Sequence, residues 1–422
     1  MKKTYRKIKL GNSCLSVKRG VSPKYVENDG IVVINQKCVR NSAISFSEAR
    51  LTSRNTRIGK DKLIINGDIL VNSTGTGTLG RSAPFIEKKY FKQLTADSHV
   101  AIVRPDSKKI NPLYLAYNIG LMEPVIINMA KGATNQVELS PVELKELKLS
   151  IPDREIQNKI VDILLSYNSF IDINCRRIKL LEESARLLFR EWFVYFRFPG
   201  HEKVKIVDGV PEGWKKIKLM NIIKTIESGG RPKGGAIDEG IPSIGAENVD
   251  GIGKYNYSNE KYVPEEYYIR MKKGKVISKD VLLYKDGANI GRTTIVGYGF
   301  PHDKCCVNEH VFILRTKNNI QNWFYFYLSQ DFIKRAIANL NSNSAQPGIS
   351  QDKLLNLKIA FPDEKIVRMF NNIAEDVTRS IFTLSIQNKK LAQARDLLLP
   401  RLMNGTIDVS ELNTKIPEEA EI

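Results

Sequence analysis

Three stretches carry residue types and spacings that could do chemistry. Gly75 to Ser82 reads Gly-Thr-Gly-Thr-Leu-Gly-Arg-Ser, one substitution from the phosphate-cradling pattern Gly-x4-Gly-Lys-Ser/Thr, with Arg81 where the lysine belongs. Asn111-Pro-Leu-Tyr114 is close to the Asn-Pro-Pro-Tyr tetrad of adenine methylation, and Pro362-Asp-Glu-Lys365 holds the carboxylates and lysine of a nuclease cluster. Each has a stronger structural reading. The loop's counterpart, Gly287 to Arg292, breaks the spacing, so no nucleotide site is expected. Asn before Pro caps a helix and fills its first turn. Carboxylates within one helical turn cap that helix instead of converging from separate strands. His99 and His310 recur in similar strand contexts and read as hydrogen-bonded fold positions, with a nucleic-acid contact as the alternative. The five cysteines include no Cys-x-x-Cys and no paired histidine, so neither a zinc site nor a disulfide framework is expected. No catalytic residue, metal or cofactor is assigned.

The elements that must position these residues come twice. Lys7-Ile-Lys-Leu10 recurs unchanged as Lys216-Ile-Lys-Leu219. Gly30 matches Gly240, Asp68 matches Asp280, His99 matches His310, Gln136 matches Gln346 and Pro152 matches Pro362. A repeat this long is a duplicated domain pair and not a solenoid. Such a pair makes a pseudo-two-fold axis available, which suits a target in two halves. In each half, short β-branched runs such as Gly30–Asn35, Leu63–Asn72 and His99–Arg104 read as strands, and a helix is expected from Asn111 through Leu121.

The period then changes to a heptad seam. It runs through Ile160, Ile163, Tyr167, Phe170, Asn174, Ile178, Leu181, Ala185, Leu188 and Trp192. A weaker one follows Ile366, Phe370, Ile373, Val377, Ser380, Leu384, Asn388, Leu391, Arg395, Leu398 and Leu402. Two helices this long on one chain bury their stripes against each other or a partner, and an antiparallel pair is expected. A stutter leaves room for a break at Tyr167–Asp172. Leu187, Phe189 and Phe193 lie off the seam and are expected to face a docking partner. The fold class is therefore α+β: two homologous mixed α/β globular domains joined by two long antiparallel helices. The expected boundaries are 1–150, helix region 151–196, linker 197–213, 214–360, helix region 361–408 and tail 409–422.

Sixty-five Lys and Arg against 46 Asp and Glu leave a net charge of +19, a surplus best offset by nucleic acid. No apolar run is long enough to span a membrane, and no apolar core follows the Met1-Lys-Lys start, so a cytoplasmic protein is expected.

These features together resemble the DNA-specificity subunit of type I restriction–modification systems. Ile151-Pro-Asp-Arg-Glu-Ile-Gln157 is similar to the start of that family's conserved helix, and Leu180 to Phe193 to its end. Val210-Pro-Glu-Gly-Trp214 is similar to the family's entry into the second recognition domain. Gly67-Asp-Ile-Leu70 with Gly80-Arg81, and Lys279-Asp-Val-Leu282 with Gly291-Arg292, resemble the strand and turn of each recognition domain. The resemblance implies a non-catalytic subunit that binds a bipartite asymmetric sequence in double-stranded DNA, one half-site per domain. It also implies helices that measure the unread gap, two methyltransferase subunits docked alongside, and motor–nuclease restriction subunits in the full complex. Two alternatives are a two-headed coiled-coil tether and the recognition part of a fused methylase–nuclease.

Base edges are read by Arg, Lys, Asn, Gln, Ser and Thr. Candidates in the first domain are Gln36, Lys37, Arg40, Asn41, Ser53, Arg54, Asn55, Arg57, Arg81, Lys131, Asn135 and Gln136. In the second they are Arg231, Lys233, Asn248, Lys254, Lys285, Asn289, Arg292, Asn343 and Gln346. Recurring positions such as Arg81 and Arg292 fit phosphates or the fold. Positions that differ between halves, above all 40–60, fit the bases.

Overall fold

The computed structural model describes residues 5–86, 93–132, 137–341 and 348–412. The chain forms two compact units: residues 1–169 with 392–422, and residues 170–391. The division cuts through both long helices.

In the first unit, Cys14–Arg19, Val100–Pro105, Ile69–Asn72 and Ser82–Pro84 form a four-stranded antiparallel sheet in that order. Both of its faces are covered, which is why Val100-Ala-Ile-Val103 is apolar throughout. Ala101 and Val103 pack with the helix Pro112–Leu121, with Ile160, Val161 and Leu164, and with Leu402 and Met403. Val100 and Ile102 pack with Ile34, Leu94 and Ala96 of a second sheet. That sheet has the order Leu94–Ala96, Gly30–Ile34, Arg50–Ser53, Tyr25–Val26.

The second unit repeats the frame. Its sheet order is Ile223–Ser228, Val311–Thr316, Val281–Tyr284, Thr293–Ile295, beside a three-stranded sheet of Tyr262–Val263, Ile241–Ile244 and Cys306–Val307. In both units a parallel pair sits in the second sheet. Each unit also has a two-stranded ribbon, Arg6–Lys9 with Lys148–Ile151 and Lys215–Lys218 with Lys358–Phe361.

The recurring aspartate holds this frame together. Asp68 accepts from Ile65 N at 2.9 Å and from Arg104 Nε and Nη2 at 2.8 and 2.7 Å, while Arg104 Nη2 also donates to Leu63 O. Asp280 does the same for Ile277 N and Arg315, whose Nη1 additionally meets Glu227. Both aspartates are buried. Leu63–Asp68, expected to extend a strand, is instead a turn closed by this carboxylate, with Gly67 at φ 89°.

The long helices are Arg154–Phe193 and Glu364–Met403, each 40 residues and unbroken, so the Tyr167–Asp172 break does not occur. They run antiparallel within each unit. In the first, Arg395 donates to Asn168 at 2.7 Å and Lys159 donates to Ser410 O. In the second, Asn174 donates to Asn388 at 2.9 Å and Phe189 meets Phe370 edge-on at 5.3 Å. Trp192, Phe370 and Leu402 are buried; Leu181, Leu188 and Leu398 are half-buried against the cores, and Leu391 is half-buried.

Several expectations fail here, among them Ile373 and Ser380 of the second seam, which are exposed while Ala374 and Ile381 beside them are buried. Phe170 is 59% exposed and lies off the seam; Asn174 is buried in its neighbourhood instead. Phe189 and Phe193 are 0% and 8% exposed, so neither faces a docking partner. They pack against Phe370 and Trp323, and Phe193 also meets Trp214. The first helix has two neighbours in this unit, the second helix and the domain helix Gln321–Leu328, so its buried face is wider than a two-helix seam.

The linker closes as a hairpin of Ile206–Val207 and Val210–Pro211, with Asp208 and Gly209 at φ 49° and 78°. The Asp250–Tyr257 stretch of the second unit seats on the second long helix. Ile252 is fully buried, and Gly253 O accepts from Ser385 Oγ at 2.9 Å. A Cβ on Gly253 would stand 2.6 Å from Ile381.

Candidate nucleic-acid interface

In each unit several loops converge at one end of the main sheet, around the recurring histidine. His99 precedes Val100–Pro105; its N donates to Asp97 at 2.9 Å, and its Nδ1 pairs with Thr74 Oγ1 at 2.9 Å. Gln36 Oε1 lies 3.4 Å from the same hydroxyl. The loop through Lys131 is tied in by Leu139 N donating to Ser73 O, and Arg19 pairs with Glu138. Lys131 itself is exposed and pairs with Glu143 at 2.9 Å. That contact, with the Ser140 amide and hydroxyl, holds the Glu143 carboxyl down at about 2.

Around this cluster, Lys37 is exposed, and Arg40 and Asn41 form the tip of the hairpin Val39–Arg40 and Ala43–Ile44, with Asn41 and Ser42 at positive φ. Ser53, Arg54 and Asn55 are not brought to this cluster: Ser53 stands opposite Gly30, at the end of that strand away from Gln36, and the three form a turn beside Lys24, whose carbonyl accepts from Ser53 N. Arg54 is engaged with Asp29 at 2.8 Å; Arg57 is exposed and Arg81 half-buried. The Gly75–Ser82 loop closes on itself, with Thr78 and Leu79 amides donating to Gly75 O. Asn111 caps its helix by accepting from Leu113 and Tyr114 amides, and Asp363 accepts from Lys365 N. Both motifs thus have the structural roles expected of them.

In the second unit, His310 N donates to Asn308 at 3.0 Å, and its Nδ1 meets Asp286 at 2.9 Å. Its Nε2 lies 3.2 Å from Glu309, which also pairs with Arg231 at 2.8 Å. Lys285 O accepts from Ile349 N, bringing in the last loop. Lys233, Lys254, Asn289 and Arg292 are exposed, with Arg292 4.0 Å from Asp250. Asn248 is a correction: it is 5% exposed, and its Oδ1 accepts from Asn256 N at 2.8 Å, so it braces a loop and offers no edge to a base. Asn135, Gln136, Asn343 and Gln346 lie outside the described residues.

Sequence reasoning missed Gly20 and Gly229. A Cβ there would stand 1.9 Å from Ala96 O and 1.6 Å from Val307 O, so only glycine lets the loop approach the neighbouring strand. The signal was present, because Gly20, Pro23 and Lys24 match Gly229, Pro232 and Lys233 at the offset of the Lys-Ile-Lys-Leu repeat.

The arrangement offers hydrogen-bond donors, acceptors and cations on loops at a rigid sheet end. Among the described residues no group of three His, Cys, Asp or Glu could hold a metal, and no helix is long and apolar enough to cross a membrane. Such a surface binds and discriminates.

A model of the type I restriction modification DNA specificity domain matches residues 13–183 and again 211–384. The type I restriction enzyme MjaVIII specificity subunit of Methanocaldococcus jannaschii is 23% identical over 356 residues, 83% of either chain. The HindI specificity subunit of Haemophilus influenzae is 22% identical over 476 residues, 93% of this chain and 98% of that one. The solved S subunit of a type I restriction–modification system from M. genitalium superposes with a TM-score of 0.56 at 15% identity, over 97% of this chain and 98% of its own, a likeness of fold.

Proposed function

This chain belongs to the type I restriction–modification DNA specificity family, and from that premise we propose that it reads a bipartite asymmetric DNA target, one half-site per recognition domain. It performs no catalysis; it directs methyltransferase and restriction subunits to the site within the cytoplasm. The observation that carries this is one frame built twice, with the same histidine-centred loop cluster at each sheet end and different side chains on the loops. A shared frame fits the shared phosphate backbone, and divergent loops fit different bases.

The reading surfaces are the exposed loops just described, in domains spanning 1–150 and 214–360. The helices set the unread gap. Half-sites one helical turn apart on one side of the duplex correspond to a gap of about 5–8 base pairs.

Two methyltransferase subunits dock on the chain. The exposed apolar stripe Phe170, Ile173, Leu180 and Leu187 on the first helix supports this. Its spacing of three and seven keeps it on one face. Leu187 stays in the proposed docking surface, and Phe189 and Phe193 leave it.

Exchange of residues 1–150 for those of a relative is the test. Methylome sequencing is expected to show one half-site changed and the other kept; a change in both would overturn the modular reading. Native mass spectrometry is expected to give two methyltransferases per chain.

A further inference from the structure

The Lys-Ile-Lys-Leu repeat lies in the two-stranded ribbon of each unit, away from the loop cluster. Alternation along the strand puts Ile8 and Ile217 against the cores and turns Lys7, Lys9, Lys216 and Lys218 to solvent. The partner strands add a further lysine to each face, because Lys9 stands directly opposite Lys148 and Lys218 directly opposite Lys358. All six lysines are exposed.

Like charges directly opposite across a strand pair are unfavourable in the free chain. Here the arrangement occurs twice in the same register. Local relief differs between units: Lys9 pairs with Glu146 at 2.6 Å, whereas Lys218 donates to the neutral Asn356 Oδ1 at 2.8 Å and has no acidic partner among the described residues.

The ribbon faces away from the reading loops. In the first unit it leads through Leu10–Ser13 into Cys14, which pairs with Pro105, whereas His99 adjoins the other end of that strand pair. In the second it leads into Ile223, which pairs with Thr316, the end opposite His310. Six residues of strand separate the two ends by roughly 20 Å. The ribbon's second strand instead runs directly into a long helix, Ile151 into Arg154 and Phe361 into Glu364.

We propose that the lysine face of each ribbon docks a carboxylate-rich face of a methyltransferase subunit, extending the helix contact onto the base of each recognition domain. The proposal rests on the function given above. Position disfavours DNA phosphates as the occupant, since a duplex held by the loop cluster lies a strand's length away. The second ribbon, where Lys218 has no acidic neighbour among the described residues, carries the larger share.

The test compares Lys216→Gln/Lys218→Gln/Lys358→Gln and Lys7→Gln/Lys9→Gln/Lys148→Gln with the parent chain. Affinity for the purified methyltransferase is measured from low salt upwards, and affinity of the chain alone for its target duplex by anisotropy. The second-unit variant is expected to lose at least tenfold in methyltransferase affinity at low salt, and the first-unit variant less. Both deficits should shrink toward nothing near about 1 M salt, where the Debye length is about 3 Å. Duplex affinity is expected to move less than threefold. Unchanged methyltransferase affinity in folded variants overturns the proposal, as does a loss of duplex affinity with assembly intact, which would make the ribbons DNA clamps. Should a triple variant not fold, the single Lys218→Gln is read by the same criteria. A parent chain that binds no methyltransferase defeats the proposed function itself.

Discussion

The two units build one frame with different fastenings. In the first, Gln157 on the long helix holds the neighbouring domain helix: its Oε1 accepts from Asn111 N at 2.9 Å while its Nε2 donates to Pro152 O. In the second, the matching residue is Val367, fully buried. Asn371, one turn further on, accepts from the Asn322 and Trp323 amides instead, and Gln321 closes the strand end by accepting from Thr316 N. By contrast, the Asp–Arg fork and the close-approach glycines are the same in both. Where a fixed backbone geometry needs one particular group, the duplicate keeps it. Where a helix end needs only an acceptor, the acceptor has moved.

The sharpest way to break this comparison is at the fork. Arg315→Ala strands Asp280 and Glu227 together and is expected to cost about 3–5 kcal/mol. Arg104→Ala strands Asp68 alone and should fall at the lower end of that range. Urea unfolding measures both; equal small losses would show that the forks are not what holds the sheets.

The moved acceptor gives the next effect. Asn371→Ala leaves two buried amides unpaired, and Gln157→Val, the residue of the other half, leaves Asn111 N unpaired. Each is expected to cost about 1–3 kcal/mol. If Gln157→Val were neutral, the two fastenings would be interchangeable.

Smaller still is the turn. Gly67 (φ 89°) is matched by Lys279 (φ 72°), a strained conformation for a lysine whose Nζ contacts Glu375 at 2.6 Å. Gly67→Ala is expected to cost about 1 kcal/mol from backbone strain, since the nearest neighbour of its Cβ is a comfortable 3.7 Å away. Lys279→Gly should be near neutral, relief of strain offsetting a weak ion pair. Thermal melts distinguish the pair.

The smallest effect is a pH dependence of the second unit. Burial pushes the Glu260 carboxyl up, but hydrogen bonds from Tyr262, His302 and Tyr255 outweigh it and hold it below its ordinary value. A depressed carboxylate contributes stability that is present above its unfolded value, about 4.3, and lost as pH falls through the lower folded one. Glu260→Gln should therefore make the acid limb of the stability curve shallower below about pH 5, with little change of slope near pH 7.

Much of this was legible in the chain. The duplication, the long helices and the Asn111 and Asp363 caps follow from spacing and local chemistry, which act over a few residues. What failed needed tertiary knowledge. The seam reading gave each helix one neighbour, and a second neighbour buried Phe189 and Phe193, while Phe170 turned outward. Asn248 has the right chemistry for a base edge, but its amide is consumed by a loop eight residues away. The pairing of Arg54 with Asp29 joins residues whose proximity only the folded sheet creates.

One contact bears on any exchange of the second domain between related chains. The contact of Ile252 and Gly253 with Ile381 and Ser385 ties the second recognition domain to the surface of its own helix. In the first half, Ile44 and Phe46 pack instead into that domain's own sheet. Recombination that imports a new second domain therefore inherits a fitting problem: the incoming loop must present a small residue to Ser385, or bring its helix with it. Crossovers placed beyond Ser385 transfer loop and helix as one heritable block, whereas crossovers at the domain edge separate them.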